Sequence, residues 1–367
     1  MKIWDCISDL KCSGADGLIS FPANKSVDLA VEWHYSDYPV CSRNIIRIFI
    51  NGAAMKRMLA PLLICPACLP REQPLELSSV REQDDDIVSA DLSCRTCRKR
   101  YPVRDGIAVL TPDPEAGPAG GQWKYEEQET IDRYLWSHYS DLMKVPDAGD
   151  AYAVWASLIA PQSDLAYDAG CAVGRLTFEM SQRSTLAIGC DLSSAFIRTA
   201  RRLARERRIS FSLQLEGNLR ETFTFELPGS WRPDRVEFMV ADAQALPFAA
   251  GTFQQITSLN LVDRVRYPLA HLFDISRAAR PRNAFFLFSD PFSWSTANAP
   301  EELWLGGLSS GPYSGRGIDN VRALLEGKQK IISPAWRINA QGRVNWRLRS
   351  HCNHFEMIRS EYLTAVR

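Results

Sequence analysis

The stretch Asp164-Leu-Ala-Tyr-Asp-Ala-Gly-Cys-Ala-Val-Gly-Arg175 decides the fold. Leu165, Ala166 and Tyr167 read as the end of a short buried strand. Gly170 and Gly174 bracket a tight loop, and residues 176–181 begin a helix. A strand, a glycine loop and a helix in that order bring backbone N–H groups and a helix start to a ligand. Glycine suits such a loop because a Cβ blocks close approach and because positive φ is often required. By itself the unit is common to many α/β proteins, and Gly-Cys-Ala-Val-Gly is not the GxGxxG of dinucleotide folds.

The sequel narrows the reading. Residues 185–190 form a second apolar strand ending in Asp191, where an acid can accept two ribose hydroxyls. A third strand, residues 236–240, precedes Asp242-Ala243. A fourth, 253–259, ends at Asn260, and a fifth, 284–289, ends at Asp290. Acids or amides repeatedly follow apolar strands, and open α/β sheets bind ligands at the carboxyl ends of their strands.

This order resembles the class I S-adenosylmethionine-dependent methyltransferases over roughly residues 122–367. The matching pieces are Asp168-Ala-Gly170-Cys-Ala-Val-Gly174, Asp191, Asp242-Ala243 before Leu246-Pro-Phe248, and Arg280-Pro281 before the fifth strand. The resemblance implies a Rossmann-like α/β sheet that binds S-adenosylmethionine. It implies that Asp168 and the loop from Gly170 to Gly174 lie along the methionine part, that Asp191 holds the ribose, and that Asp242 and Ala243 face the adenine. The competing reading is a nucleotide-binding or degenerate α/β domain without transfer chemistry.

The chain has 367 residues, enough for two domains, and 46% of them are apolar. Its 43 basic and 43 acidic residues cancel, so there is no global electrostatic footprint for nucleic acid. No apolar run reaches the ~18 residues of a membrane helix. The nearest, residues 45–64, is broken by Arg47, Lys56 and Arg57. The N-terminus lacks the apolar core of a signal peptide, and a cytoplasmic location is the expectation. Residues 27–33 and 45–50 suit strands, but residues 1–54 carry no chemistry. They read as a poorly ordered extension or as a stretch upstream of the true start.

Residues 55–112 read as a separate module. Cys65-Pro-Ala-Cys68 and Cys94-Arg-Thr-Cys97 are 25 residues apart and offer four thiolates, the donor set of a closed tetrahedral zinc site. A module this small buries little core and benefits from a structural metal. The alternatives are reduced thiols that bind nothing, or a redox pair. Residues 74–80 and 87–93 suit short strands around Asp84-Asp-Asp86. With Tyr101-Pro102 and Asp105-Gly-Ile-Ala-Val-Leu110, the pattern resembles the small zinc-ribbon family related to activator subunits of transfer-RNA and protein methyltransferases. That resemblance implies a stabiliser, or a contact for a protein partner, without catalytic chemistry of its own. Cys6, Cys12, Cys41, Cys171, Cys190 and Cys352 lack regular spacing and read as reduced thiols. The Pro- and Gly-rich residues 113–121 mark a linker to the domain of residues 122–367.

Residues 125–139 and 151–159 read as helices before the glycine loop, placed to cover the ligand. Residues 195–208 form an amphipathic helix carrying Arg198, Arg201, Arg202, Arg205, Arg207 and Arg208, either a solvated face or a phosphate-binding one. Residues 209–235 read as an inserted β-hairpin, and 344–351 with 354–366 as a final antiparallel pair. Asp132-Arg-Tyr-Leu-Trp-Ser-His-Tyr139, Asn260-Leu-Val-Asp-Arg-Val265, Asp290-Pro-Phe-Ser-Trp294, Trp304-Leu-Gly-Gly307 and Arg349-Ser-His351 together resemble the methyltransferase portion of ovothiol-pathway enzymes. That likeness implies N-methylation of a small imidazole- or thiol-type metabolite. The chain departs from the pattern in having no sulfoxide synthase domain and no His-rich iron site.

Asn260, Asp290 and His138 are the candidate acceptor-side residues, with Asp263 and His351 as further candidates and Trp294 and Trp304 as possible walls. Asp263 and Arg264 also read as a surface ion pair. An RNA or protein acceptor recognised through the ribbon, and a non-catalytic adaptor, are the alternative functions.

Overall fold

The computed structural model describes residues 54–114 and 120–367. The strand expectations for residues 27–33 and 45–50, and the middle of the linker, lie outside the described residues.

Every residue of the strand Val236–Ala241 is buried, the signature of a parallel strand covered on both faces. The parallel core contains β5 (Ser163–Ala169), β6 (Ser184–Asp191), β9 (Val236–Ala241), β10 (Gln255–Leu259) and β11 (Phe285–Asp290), in the spatial order β9-β6-β5-β10-β11. The chain winds outward from β5 through β6 to β9, then restarts on the other side of β5 with β10. The crevice between β5 and β10 is therefore the topological switch point, where open sheets bind ligands. Helices α3 (Arg175–Ser181), α4 (Ser194–Glu206) and α5 (Pro268–Ala278) make the crossovers, and α6 (Gly317–Leu325) follows β11.

The sheet ends in two long antiparallel strands, β12 (Arg337–His351) and β13 (His354–Val366). Only residues 361–366 of β13 pair with β11, and the rest of the hairpin continues past the carboxyl edge of the sheet. There it meets α1 (Gln128–Met143) and α2 (Ala151–Leu158). Arg133 donates to Arg349 O and Ser350 Oγ, and Ser137 Oγ donates to Arg347 O. The expected inserted hairpin forms as β7 (Arg208–Glu216) and β8 (Leu219–Glu226), paired with each other alone. It packs on α1, where the Tyr139 and Phe225 rings stack at 4.4 Å.

The ribbon is not a loosely tethered appendage. Its strands β1 (Leu75–Gln83), β2 (Asp86–Cys94), β3 (Arg100–Arg104) and β4 (Ile107–Leu110) form an antiparallel meander. Strand β4 then pairs in parallel with β9, Val109 opposite Val240 and Leu110 opposite Ala241. The result is one mixed sheet of eleven strands. Ile64 N donates to Pro247 O at 3.0 Å, and Glu72 meets Arg277 at 2.5 Å. Met55, Leu59, Leu63, Leu92 and Tyr101 share one apolar cluster with Met239, Leu246 and Phe248.

The arginine-rich helix is α4. Ser193 caps it by accepting from Phe196 N at 3.1 Å. Arg201 is buried against Glu237 of β9 and donates to Ala54 O and Phe238 O. Arg202 and Arg205 meet Glu206, Arg198 meets Glu126, and Arg208 meets Glu226. Glu206 within the helix and Glu126, Glu226 and Glu237 outside it therefore share the compensation of these charges.

Candidate active site and thiol centre

The glycine loop leaves β5 with Gly170 at φ +68°, Ala172 at +45° and Gly174 at +85°. At Gly174 a Cβ would stand 2.8 Å from the Phe238 ring, so both conformation and space demand glycine. Gly174 N donates to Cys171 O at 2.8 Å, and Cys171 N donates to Cys190 O at 3.0 Å, tying the loop to β6.

Asp191, at the end of β6, accepts from Ala172 N and Ser193 N, one amide per oxygen, both at 2.9 Å. It remains half-exposed. A carboxylate has about four acceptor positions, so two remain for a ligand's hydroxyls. Burial pushes its pKa up to about 6 against the pull of those amides. Asp242 accepts at one oxygen from Gln244 N and Gln244 Nε2, both at 2.9 Å, and is also half-exposed. The loops after β5, β6 and β9 thus bring Gly170, Asp191, Asp242 and Ala243 to the carboxyl edge of the sheet, with Gly174 buried behind them against Phe238, and the open acceptor positions of the two acids suit hydroxyl and amino donors of the kind S-adenosylmethionine carries.

Asp168 behaves differently. It is buried, and its two oxygens accept from Thr177 Oγ1 and Thr257 Oγ1 at 2.8 Å each. Burial raises it to about 6 as well. The geometry makes Asp168 a brace between β5, α3 and β10 instead of a ligand-facing acid.

His271, on α5, belongs to no motif of the sequence. It is fully buried and contacts Ala243 O through Nδ1 at 2.8 Å and Ser258 Oγ through Nε2 at 2.9 Å. Burial lowers it to about 4, so the ring is neutral at pH 7. A carbonyl only accepts, so Nδ1 carries the proton and Nε2 accepts from Ser258. His271 thereby fixes the Asp242-Ala243 loop.

On the other side of the switch point, Asn260 sits at φ +53° just past β10. Its N–H donates to Ser289 O at 2.7 Å and its Oδ1 accepts from Ser360 Oγ at 2.7 Å. Its Nδ2 has no partner among the described residues, and the side chain is half-exposed. Asn260 is thus placed to touch a ligand.

Asp290 is not. It is fully buried and accepts from Val262 N at 2.9 Å and Phe292 N at 2.7 Å, with Asp263 N at 3.4 Å. Burial, then the charge of Asp263, push its pKa well up. Its carboxyl pins the loops after β10 and β11 together. Asp263, expected in a surface pair, is buried too, with Oδ2 accepting from Ser293 N at 2.8 Å.

His138 lies in the buried face of α1. Its Nε2 meets Tyr152 Oη at 2.8 Å, while Nδ1 has no partner among the described residues. Burial, then the Arg175 charge, hold it neutral. Arg175 donates to His138 O at 2.7 Å and pairs with Asp141 and Glu179, locking α1 to α3. Around His138 gather Tyr134, Tyr152 and Trp346, with ring centroids 5.5, 4.1 and 6.5 Å away. Sequence reasoning missed Tyr134 and Trp346 as a pair because they belong to α1 and β12, more than 200 positions apart.

His351 and His354 face each other at the β12–β13 turn, 5.6 Å between centroids. At the rise of a strand they stand about 20 Å from Ser360 and hence from Asn260. Trp294 and Trp304 stack on each other at 6.1 Å, and Trp294 packs on Phe292, closing their own loop.

In the ribbon, the sulfurs of Cys65, Cys68, Cys94 and Cys97 all lie within 4.8 Å of one another. The Cys65–Cys97 and Cys68–Cys94 separations are 3.5 and 3.7 Å. Four zinc–sulfur bonds of about 2.3 Å in a tetrahedron require sulfurs about 3.8 Å apart. The cluster therefore fits a closed thiophilic ion such as zinc. Tyr101 Oη touches Cys65 Sγ at 3.0 Å, an outer contact of the kind that orients metal ligands.

Residues 167–287 match the methyltransferase domain family, and residues 56–106 match the Trm112p-like protein family. Together with the sheet order, the first match gives this part of the chain the Rossmann-like fold of class I methyltransferases and supports a methyltransferase. A Trm112-like ribbon is built into the same chain. No curated protein matches the chain. Among solved structures, an S-adenosylmethionine-dependent methyltransferase from Methanosarcina mazei is 15% identical, with a TM-score of 0.37 over 58% of this chain and 95% of its own. Magnesium protoporphyrin IX methyltransferase from Synechocystis PCC 6803 is 16% identical, with a TM-score of 0.36 over 66% and 97%. A chain from the complex between the Haloferax volcanii Trm112 methyltransferase activator and a methyltransferase is 12% identical, with a TM-score of 0.36 over 65% and 96%.

Proposed function

We propose that the chain transfers a methyl group to a ring nitrogen of a small imidazole- or thiol-type metabolite. The observation that carries this reading is the roof over Asn260. Helices α1 and α2 and the distal parts of β12 and β13 bring Tyr134, His138, Tyr152 and Trp346 together above the switch point. A packed cluster of rings next to Asn260, whose Nδ2 is open, suits a small planar acceptor better than a polymer. The pairing of the α4 arginines with carboxylates further weakens a phosphate-binding role.

S-adenosylmethionine supplies the methyl group when bound. Asp191 would hold its ribose, Asp242 and Ala243 its adenine, and the Gly170–Gly174 loop its methionine part. Asn260 orients the acceptor for in-line displacement, and the aromatic roof excludes water. Proximity and orientation account for most of the rate in such a reaction. A neutral His138 with a depressed pKa is a weak proton acceptor, so the proton of the methylated ring leaves to solvent when the product is released. In this reading Asp168 and Asp290 brace the site, and the ribbon with its four cysteines stabilises the donor side through β4.

The test is methyl transfer from labelled S-adenosylmethionine to mercaptohistidine, related imidazoles, total RNA and lysate protein. Label on an imidazole supports the proposal. Label on RNA or protein supports the second reading, a macromolecular acceptor, which the Trm112p-like match favours. Steep loss of acceptor binding with salt would accompany that outcome for RNA.

A further inference from the structure

The four thiols of the ribbon are not equivalent. Cys65, Cys94 and Cys68 are 0, 2 and 8% exposed, whereas Cys97 alone reaches solvent. The backbone holds each knuckle. Cys68 N donates to Cys65 O at 3.2 Å, and Arg98 N donates to Cys94 O at 2.9 Å. Cys65 N and Cys94 N donate in turn to Gln73 O and Lys99 O. Beside Cys97, Thr96 Oγ1 donates to Gln73 Oε1 at 2.7 Å, which ties the second knuckle to the chain that leaves the first. The accessible sulfur is therefore fixed next to the other three.

The short separations run across the knuckles. Cys97 Sγ lies 3.5 Å from Cys65 Sγ, and Cys68 Sγ lies 3.7 Å from Cys94 Sγ. The fully buried Tyr101 places its Oη 3.0 Å from Cys65 Sγ. A metal-ligating cysteine is a thiolate and can only accept, so the phenol donates to it. That hydrogen bond damps the nucleophilicity of Cys65, while Cys97 faces solvent. An accessible thiolate with a second thiol in reach is the arrangement of a peroxide-reactive cysteine and its resolving partner. Cys352 makes the contrast. It is half-buried at the β12–β13 turn and belongs to no thiol cluster among the described residues.

We propose that Cys97 is an oxidation site, with Cys65 as its resolving thiol and a hydroperoxide as the oxidant. The Cys97 thiolate attacks the O–O bond and becomes a sulfenic acid, and the expelled alkoxide or hydroxide takes a proton from water. The Cys65 thiolate then attacks the sulfenic sulfur, forms the Cys65–Cys97 disulfide and expels hydroxide, which is protonated to water. The two sulfurs together lose two electrons, and the peroxide gains them. Two thiolates remain of the four that a closed zinc site requires, so the ion is lost. The new bond joins one knuckle to the other, as the metal does, and keeps the intervening loop closed. None of this depends on which acceptor the chain methylates.

The experiment uses the full chain loaded with zinc and treated with hydrogen peroxide. Zinc release is followed with a colorimetric chelator. Non-reducing peptide mass spectrometry maps the disulfides, and a parallel sample contains dimedone to trap sulfenic acid. The expected result is zinc release in step with a peptide joining Cys65 to Cys97. Dimedone should mark Cys97 ahead of the other three ribbon cysteines, and dithiothreitol should restore zinc binding. Tyr101→Phe frees the resolving thiol from its hydrogen bond. The ratio of disulfide to dimedone adduct should therefore rise about two- to tenfold, the equivalent of one ordinary hydrogen bond. Zinc retained while Cys352 becomes oxidised overturns the proposal. So does a disulfide confined to one knuckle, Cys65–Cys68 or Cys94–Cys97, or a reconstituted chain that binds no zinc. These outcomes are read on the wild-type chain and do not depend on a cysteine variant folding.

Discussion

The proposed donor and acceptor halves of the site are built in different ways. On the donor half, each acid is held by amides within a few residues of a strand end or by the adjacent glycine loop. Asp191 rests on Ala172 and Ser193, and Asp242 on Gln244. On the acceptor half, contacts join residues far apart in the chain. Asn260 leans on Ser360, and Tyr134 and His138 on Trp346. The donor half is therefore a property of the sheet edge, whereas the acceptor half depends on how α1 and the terminal hairpin fold over it. Substitutions on the two halves should separate cleanly in binding measurements.

The largest expected effect tests whether the ribbon belongs to the donor half. Strand β4 pairs with β9 immediately before Asp242, and the ribbon shares its apolar cluster with the catalytic sheet. Replacing Cys68 and Cys94 by Ser, or stripping metal with a chelator, should cost several kcal/mol. It should also lower the midpoint of a single calorimetric transition and weaken S-adenosylhomocysteine binding. Two separate transitions with donor affinity preserved would make the ribbon an independent passenger.

Next in size, Asp191→Ala should reduce S-adenosylhomocysteine affinity by about 1.5–3 kcal/mol, the range for hydrogen bonds to a charged group. Binding of a small acceptor should change little, and an unaltered donor dissociation constant in a folded variant would remove Asp191 from the site. Asn260→Ala should show the reverse pattern, lowering methyl transfer about tenfold with donor affinity intact. A loss of donor affinity there would merge the two halves.

The smallest effect comes from pH. The folded pKa of Asp191 lies near 6, above the ordinary 3.8. Burial thus favours its protonated form, and this group adds stability to the ligand-free fold below pH 3.8, which is lost as pH rises through about 6. Ligand hydroxyls need the carboxylate, so donor affinity should move the opposite way. S-adenosylhomocysteine binding titrated from pH 7.5 to 5 should weaken a few-fold below pH 6, and Asp191→Asn should flatten the profile. Asp168 titrates in the same range by the same cause, and flattening in Asp191→Asn distinguishes the two.

Much of this was legible in the sequence where the signal is local. The strand order, the glycine loop, Asp191, the inserted hairpin and the two Cys-x-x-Cys pairs all declare themselves within short windows, since strand ends, turns and metal knuckles are local chemistry. The roles of buried acids were not legible. Asp168, Asp263 and Asp290 look like ligand-facing carboxylates because they follow apolar strands, yet each is consumed by hydroxyls or amides that tertiary packing brings to it. Sequence reports which side chain can accept a hydrogen bond, and only the packed structure reports what donates to it.

The sequence by itself determined the sheet, its carboxyl edge and the thiol set of the ribbon, because periodicity and turn chemistry act over a few residues. The tertiary structure alone decided two things: that the ribbon extends the catalytic sheet through β4, and that His271 supports the Asp242-Ala243 loop. Each depends on contacts between elements tens to hundreds of residues apart, and no local pattern encodes the closing of such loops.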